Sequence, residues 1–329
     1  LQVPIVAAWR RADVVSNDHP LYLGMAGLGA ASTVRQRLLD ADAMLVIGCR
    51  LNEPTSGGDA IPGPDTRWAH VDLVPERPGG LPSAPLTIAA DARAFLRAAN
   101  DRLVGKAVLD AERVRARQAG NASDRAAWEA ASTVDRDDES WSGPGVHPGR
   151  VVATLRRVLA DDAIITTDAG NFAGWAGRGF RFRKPGTFLG PTSGSMGYGL
   201  PAAIAAALVH RDRPVVALVG DGGLAMTMAE LETAVREQAR VIVVVFDNER
   251  YGTIRMWQER RGTGQGIATE LGSVDFAAIA RALGARGVRV ERDAEFEGVL
   301  RQALAEDRPT LIHLQLDRRW VSVDEVAGA

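Results

Sequence analysis

Between Pro214 and Gln258 the chain reads PVVALVGDGGLAMTMAELETAVREQARVIVVVFDNERYGTIRMWQ, a pattern that few folds can accommodate. Pro214–Val219 is an unbroken apolar run of the kind found in strands buried on both faces of a parallel sheet. It ends on Gly220-Asp221-Gly222-Gly223. Met228, Leu231, Ala234 and Val235 then recur at helical spacing, predicting one helix with an apolar face. Val241–Phe246 predicts a second buried strand, ending on Asp247-Asn248. The resulting βαβ unit sets a carboxylate and a side-chain amide at the carboxyl ends of two strands. Open α/β sheets bind their ligands at that edge.

Those two groups suit a divalent metal holding a diphosphate. Mg²⁺ takes about six oxygens, a few from protein and the rest from phosphate and water. Asp221 offers a carboxylate oxygen, Asn248 an amide oxygen and Arg250 a backbone carbonyl. Gly222 and Gly223 allow close approach of phosphates to N–H groups at a helix start. A GDG alone reads more readily as a plain strand-to-helix turn. Asn248 following at a spacing of 27 residues, and then Tyr251-Gly252, favours the metal site.

Composition narrows the classes further. A net charge of −2 without runs of like charge argues against nucleic acid or an anionic membrane as the main partner. Cys49 is the only cysteine, so no internal disulfide forms, and a reducing cytoplasm is the expected compartment. Its place after the apolar Met44–Gly48 run reads as a small buried hydrophobe. The five histidines show no zinc-ligand spacing, and no apolar run reaches the length of a membrane span.

Gly220-Asp221-Gly222 with Asn248 and Tyr251-Gly252 resembles the metal and diphosphate motif of thiamine-diphosphate (ThDP) enzymes, most closely the acetolactate synthase group. Two further segments are similar to that group. Gly194-Ser195-Met196-Gly197-Tyr198-Gly199-Leu200-Pro201-Ala202-Ala203 resembles the stretch under the aminopyrimidine ring. The resemblance implies that the Gly194 carbonyl and Met196 N–H bond the pyrimidine, and that the Met196 side chain wedges the cofactor into its bent form. Asp168-Ala169-Gly170-Asn171-Phe172, after the strand Ala163–Thr167, resembles the second diphosphate loop. Phe172 departs from the histidine many synthases carry there. The same match gives Asp221, Asn248 and the Arg250 carbonyl to Mg²⁺, and Tyr251, Gly252 and Thr253 to the cofactor side. Trp257 lies where synthases have a tryptophan near the substrate channel; packing of an amphipathic helix explains it equally. Arg255 could meet a substrate carboxylate, but a surface acid is the simpler partner. Glu230 reads as a first-turn charge favourable to a helix dipole.

The expected fold class is α/β, with two Rossmann-like, doubly wound parallel-sheet domains. Residues 1–100 form a middle domain, N-terminally incomplete; 101–146 a helical linker with Ser142-Gly143-Pro144-Gly145 at its boundary; and 147–329 the diphosphate-binding domain. Gly79–Pro85 is a connection within the first. In that domain some relatives carry flavin adenine dinucleotide. Gly24–Gly29 follows GxxGxG rather than GxGxxG and reads more simply as a structural turn. Arg50 matches flavin-binding relatives, but Leu51-Asn52-Glu53-Pro54 departs from them. Asp72 could hold a ribose hydroxyl or cap a turn. The alternating basic and aromatic residues of Arg178–Lys184 suit a solvated strand or interface loop better than nucleic acid.

The family's catalytic glutamate belongs to an N-terminal pyrimidine-binding domain supplied by a neighbouring subunit, and nothing here resembles that domain. The expectation is therefore a C-terminal portion of a longer homodimeric or homotetrameric enzyme, inactive by itself. Its parent would act on a 2-oxo acid such as pyruvate. Sibling activities remain open: a 2-oxo-acid decarboxylase, a glyoxylate carboligase or a 2-hydroxyacyl-CoA lyase. So does a non-catalytic cofactor-binding module.

Overall fold

A computed structural model describes residues 1–75, 84–106, 109–135, 144–262 and 266–326. Most of the Gly79–Pro85 connection, and Ser142 and Gly143 of the expected boundary, lie outside the described residues. Two compact units emerge. One holds Leu1–Trp9 and Asp18–Ala131; the other holds Arg10–Asn17 and Ser132–Ala329.

The first unit contains β1 (Ile5–Ala7), β2 (Tyr22–Met25), α1 (Ser32–Leu39), β3 (Ala43–Ile47), α2 (Glu53–Ser56), β4 (Arg67–Asp72), β5 (Leu86–Ala89), α3 (Ala92–Leu103) and α4 (Ala111–Ser132). β1 pairs with β2, and β3-β4-β5 forms a parallel sheet. Asp91 starts α3 by accepting from the Ala94 N–H at 2.9 Å. Trp128 of α4 is buried edge-on against Tyr22, and the Arg125 guanidinium lies 4.5 Å over its ring. That indole accounts for Gly24: its φ is +116°, and a Cβ there would sit 2.5 Å from Trp128 Nε1. The glycine-rich stretch therefore has a packing reason of its own. Asp72 accepts from the Val74 N–H at 3.1 Å, the turn-capping alternative.

The second unit contains α5 (Pro148–Val158), β6 (Ile164–Thr167), α6 (Phe172–Gly179), β7 (Phe188–Leu189), α7 (Gly199–Val209), β8 (Val215–Gly220), α8 (Asp221–Thr227), α9 (Glu230–Arg236), β9 (Val241–Asp247), α10 (Gly252–Arg260), α11 (Phe276–Ala282), β10 (Arg286–Val290), α12 (Asp293–Ala305), β11 (Thr310–Gln315), β12 (Trp320–Ser322) and β13 (Glu325–Val326). Six strands form one parallel sheet in the order β10-β11-β9-β8-β6-β7. Every residue of β8 and β9 is buried, as their continuous apolar runs require. Each fully buried Val or Leu contributes about 1.5–3 kcal/mol. The core joins these strands to α7, α9 and α11 through Ala203, Ala207, Leu231, Ala234 and Phe276.

The single helix expected after Asp221 is two. Between α8 and α9 the backbone tightens: Leu231 N–H donates to the Met228 carbonyl and Glu232 N–H to that of Ala229, both three residues back. Glu230 opens α9, as its first-turn reading requires. In the Arg178–Lys184 stretch Phe180 and Phe182 turn inward, Phe180 tilted against Phe182 and Phe182 against Phe188, and the arginines find acids, Arg183 at 3.0 Å from Asp161 and Arg178 on Asp324.

Candidate cofactor and metal site

In the β8–β9 ladder Gly220 lies opposite Phe246, so Asp221 and Asp247-Asn248 leave adjacent strand ends together. Asp221 is the first residue of α8 and buried. Its Oδ1 accepts from Gly222 N–H at 2.8 Å, and its Oδ2 from Arg250 N–H at 3.2 Å. Burial, reinforced by the neighbouring Asp247 carboxyl, outweighs these bonds and pushes Asp221 up to about 7. Burial also works against Asp247. There the bonds from His313 Nε2 at 2.7 Å and Glu249 N–H at 2.9 Å prevail and hold the carboxyl below its usual range. One member of the pair is thus fixed as an anion while its neighbour holds a proton near neutrality. A divalent cation at Asp221 would take that proton's place.

Asn248 lines the adjoining cavity, and its amide makes no hydrogen bond among the described residues. Glu249 turns the chain through the left-handed region, φ +53°, and brings Arg250 back beside Asp221. One carboxylate, one amide and one backbone carbonyl make a hard oxygen set, suited to Mg²⁺ completed by phosphate and water. No group of three or more His, Cys, Asp or Glu among the described residues could hold a metal by itself.

The cavity measures about 230 Å³. Gly170, Asn171, Phe172, Gly194, Met196, Gly220, Asp221, Gly222, Gly223, Asn248, Arg250, Tyr251, Gly252 and Thr253 all line it. Ser195 does not: it is exposed and shares a 2.6 Å hydrogen bond with Ser193. Trp257 does not line it either; it is 41% exposed with the Arg260 guanidinium 5.6 Å from its ring. Arg255 meets the surface acids Glu259 and Glu270. Trp175, Leu316, Trp320 and Val321 add an apolar wall that the motifs alone do not announce.

Several predicted residues are tied into the protein itself. The Thr253 hydroxyl donates to Asn171 Oδ1 at 2.9 Å and accepts from Asn171 N–H at 3.0 Å; Asn171 Nδ2 donates to the Val321 carbonyl at 2.7 Å. Phe172 stacks on Phe246 with ring centroids 5.5 Å apart, forming floor where a histidine would offer a donor. A Cβ on Gly222 would lie 2.4 Å from the Tyr251 ring, and one on Gly223 2.1 Å from Asp168 Oδ2. The glycines after Asp221 are required by this packing as well as by any phosphate.

Residues 1–99 match the sequence profile described as "Thiamine pyrophosphate enzyme, central domain", and residues 168–314 that of "Thiamine pyrophosphate enzyme, C-terminal TPP binding domain". The chain belongs to the thiamine pyrophosphate enzyme family. Sulfoacetaldehyde acetyltransferase of Castellaniella defragrans is 31% identical over 95% of this chain and 55% of that protein. The acetolactate synthase isozyme 2 large subunit of Escherichia coli K12 is 28% identical over 96% of this chain and 55% of its own length. Among solved structures, the Rhodococcus jostii RHA1 thiamine diphosphate-dependent 4-hydroxybenzoylformate decarboxylase shares the fold with a TM-score of 0.76. That match has 23% identity and covers 96% of this chain and 56% of that one. The chain spans about half the length of the curated relatives it matches.

In this second unit, four groups make contacts that no motif announces. Asp247 and His313 lie 66 residues apart, and a histidine inside the apolar run Thr310–Leu316 was the one available signal. Asp168 turns its carboxylate away from its own loop to accept from Gly199 N–H at 2.8 Å and Gly197 N–H at 3.1 Å. Arg10 reaches that loop from the far end of the sequence.

Proposed function

We propose that this chain binds ThDP and Mg²⁺ and forms part of an acetolactate-synthase-like enzyme that decarboxylates a 2-oxo acid, pyruvate first among them, and joins the remaining fragment to an acceptor carbonyl. The observation that carries this reading is the convergence of Asp221, Asn248 and the glycine-lined start of α8 on one cavity. Asp221, Asn248 and the Arg250 carbonyl hold Mg²⁺, and the first turn of α8 receives the diphosphate. The Gly194 carbonyl and Met196 N–H would hold the pyrimidine, and the Met196 side chain would pack against the cofactor. Phe172, Trp175 and Trp320 give the cavity an aromatic wall that would shield the bound cofactor from water. When bound, ThDP supplies an electron sink for a carbanion. The glutamate that assists it is expected from the pyrimidine-binding domain of a neighbouring subunit in a homodimer or homotetramer. A transferase using another acceptor and a simple decarboxylase are the sibling readings, and the names of the relatives favour neither over the synthase.

Thermal unfolding tests the assignment. ThDP with Mg²⁺ at about a hundred times Kd adds roughly 2.7 kcal/mol, a rise of several degrees in Tm. Asp221→Ala removes that rise while leaving the cofactor-free Tm close to wild type or higher, because a buried carboxylate is lost. An equal shift in both proteins rejects the metal site. Product analysis with pyruvate, in a protein that also carries the pyrimidine-binding domain, then separates acetolactate from acetaldehyde.

A further inference from the structure

Arg10–Asn17 is flanked in sequence by residues of the first unit yet belongs to the second. Three of its side chains cap backbone there. Asp13 Oδ2 accepts from the N–H groups of Thr187 and Phe188, at 2.9 and 3.1 Å. Asn17 exchanges bonds with Phe182, its Oδ1 accepting from the Phe182 N–H at 2.9 Å. Arg10, buried and at φ +60°, donates from Nη1 to Thr167 Oγ1 and to the Asp168 carbonyl, both at 3.1 Å.

Those two acceptors mark the end of β6 and the first residue of the loop bordering the cofactor cavity. Asp168 is fully buried, and its carboxylate binds the Gly197 and Gly199 N–H groups, the turn that follows Met196. The same carboxylate lies against Gly223 in the first turn of α8. Gly190 leaves room for the Arg10 stem; a Cβ there would stand 3.1 Å from Arg10 Cδ. A buried carboxylate with no opposite charge nearby is expensive, and Arg10 is the cation that faces it.

We propose that Arg10 is a positioning residue for the cofactor cavity: through Asp168 it fixes both the 168–172 loop and the Gly194–Gly199 turn in the arrangement that receives ThDP. The inference rests on the ThDP reading of the cavity. Arg10 lies outside the cavity lining and reaches it through the residues it holds, Thr167 and Asp168.

Amide hydrogen exchange on the full chain without cofactor reads the arrangement directly. Arg10→Met lowers protection at the Gly197 and Gly199 amides by about tenfold, the size of coupling expected between contacting residues, with β8 and β9 unchanged. ThDP affinity, titrated with Mg²⁺ present, falls by a similar factor. Both effects shrink to about twofold in the Asp168→Asn background, where the charge needing compensation is gone. Should Arg10→Met fail to fold, Arg10→Gln, which keeps one donor, gives a smaller loss of the same sign. Wild-type protection at Gly197 and Gly199 in either variant overturns the proposal, as does a full effect persisting beside Asp168→Asn. A wild-type chain that binds no ThDP refutes the functional reading and leaves the exchange result to decide the role of Arg10.

Discussion

One methyl group separates two kinds of glycine in this chain. At Gly223 a Cβ would fall 2.1 Å from the Asp168 carboxylate, which backbone N–H bonds on both oxygens hold in place. At Gly298, exposed in α12, nothing lies within 4 Å. Gly223→Ala is therefore expected to cost about 1–3 kcal/mol through overpacking. Gly298→Ala is expected to add about 0.5–1 kcal/mol by restricting the unfolded chain in a helix interior. Urea unfolding of the two variants checks both signs; a neutral Gly223→Ala would mean that the Asp168 carboxylate moves freely. The sequence shows both residues only as Gly. What distinguishes them is the neighbour, 55 residues away in one case and absent in the other.

Helix α5 depends on a cap that titrates. His147 Nδ1 accepts from the N–H groups of Gly149 and Arg150 at 3.0 and 3.3 Å, and its ring packs edge-on against Trp175 and Trp320. Only the neutral ring can accept at Nδ1. Burial, then the nearby Arg150 charge, lowers its pKa below the ordinary 6.5. The folded protein thus binds fewer protons than the unfolded chain in this window. The stabilisation is complete above pH 6.5 and drains away as pH falls toward the folded-state value, by up to about 1.4 kcal/mol per pH unit. His147→Asn, a good cap without a proton in this range, flattens that part of the pH–stability curve. If both proteins lose stability equally between pH 6.5 and 5, the cap is not the acid-sensitive element. A proline at the first helical position marks the start of α5 in the sequence; the tryptophans that bury the ring leave no such mark, since they come from α6 and β12.

At the scale of the whole sheet, position explains the site. From β6 the chain runs to β7 on one side and to β8, β9 and β11 on the other, so strand order reverses between β6 and β8. The loops leaving the two strands diverge there and open a crevice at their carboxyl ends. The 168–172 loop, the start of α8 and the 248–253 segment meet in it. Added ThDP with Mg²⁺ is accordingly expected to slow hydrogen exchange in those three segments and in the Gly194–Gly199 turn, and to leave the amino ends of β6, β8 and β9 unaffected. Protection centred on the opposite edge would place the ligand elsewhere.

The sequence by itself determined the buried strands, because six consecutive apolar residues can be satisfied in few other ways, and it determined where they end, because Gly220-Asp221 and Asp247-Asn248 break the runs. Its motifs, through their resemblance to those of ThDP enzymes, also marked most of the cavity lining. The tertiary structure alone decided what ionises and what holds still. The Asp247–His313 pair, the Arg10–Asp168 clamp and the Asn171–Thr253 bonds join residues 66, 158 and 82 positions apart. Pairings of that span have no period and no local composition to betray them. They exist because the parallel sheet brings strand ends together out of water, where an unpartnered polar group is too costly to leave alone.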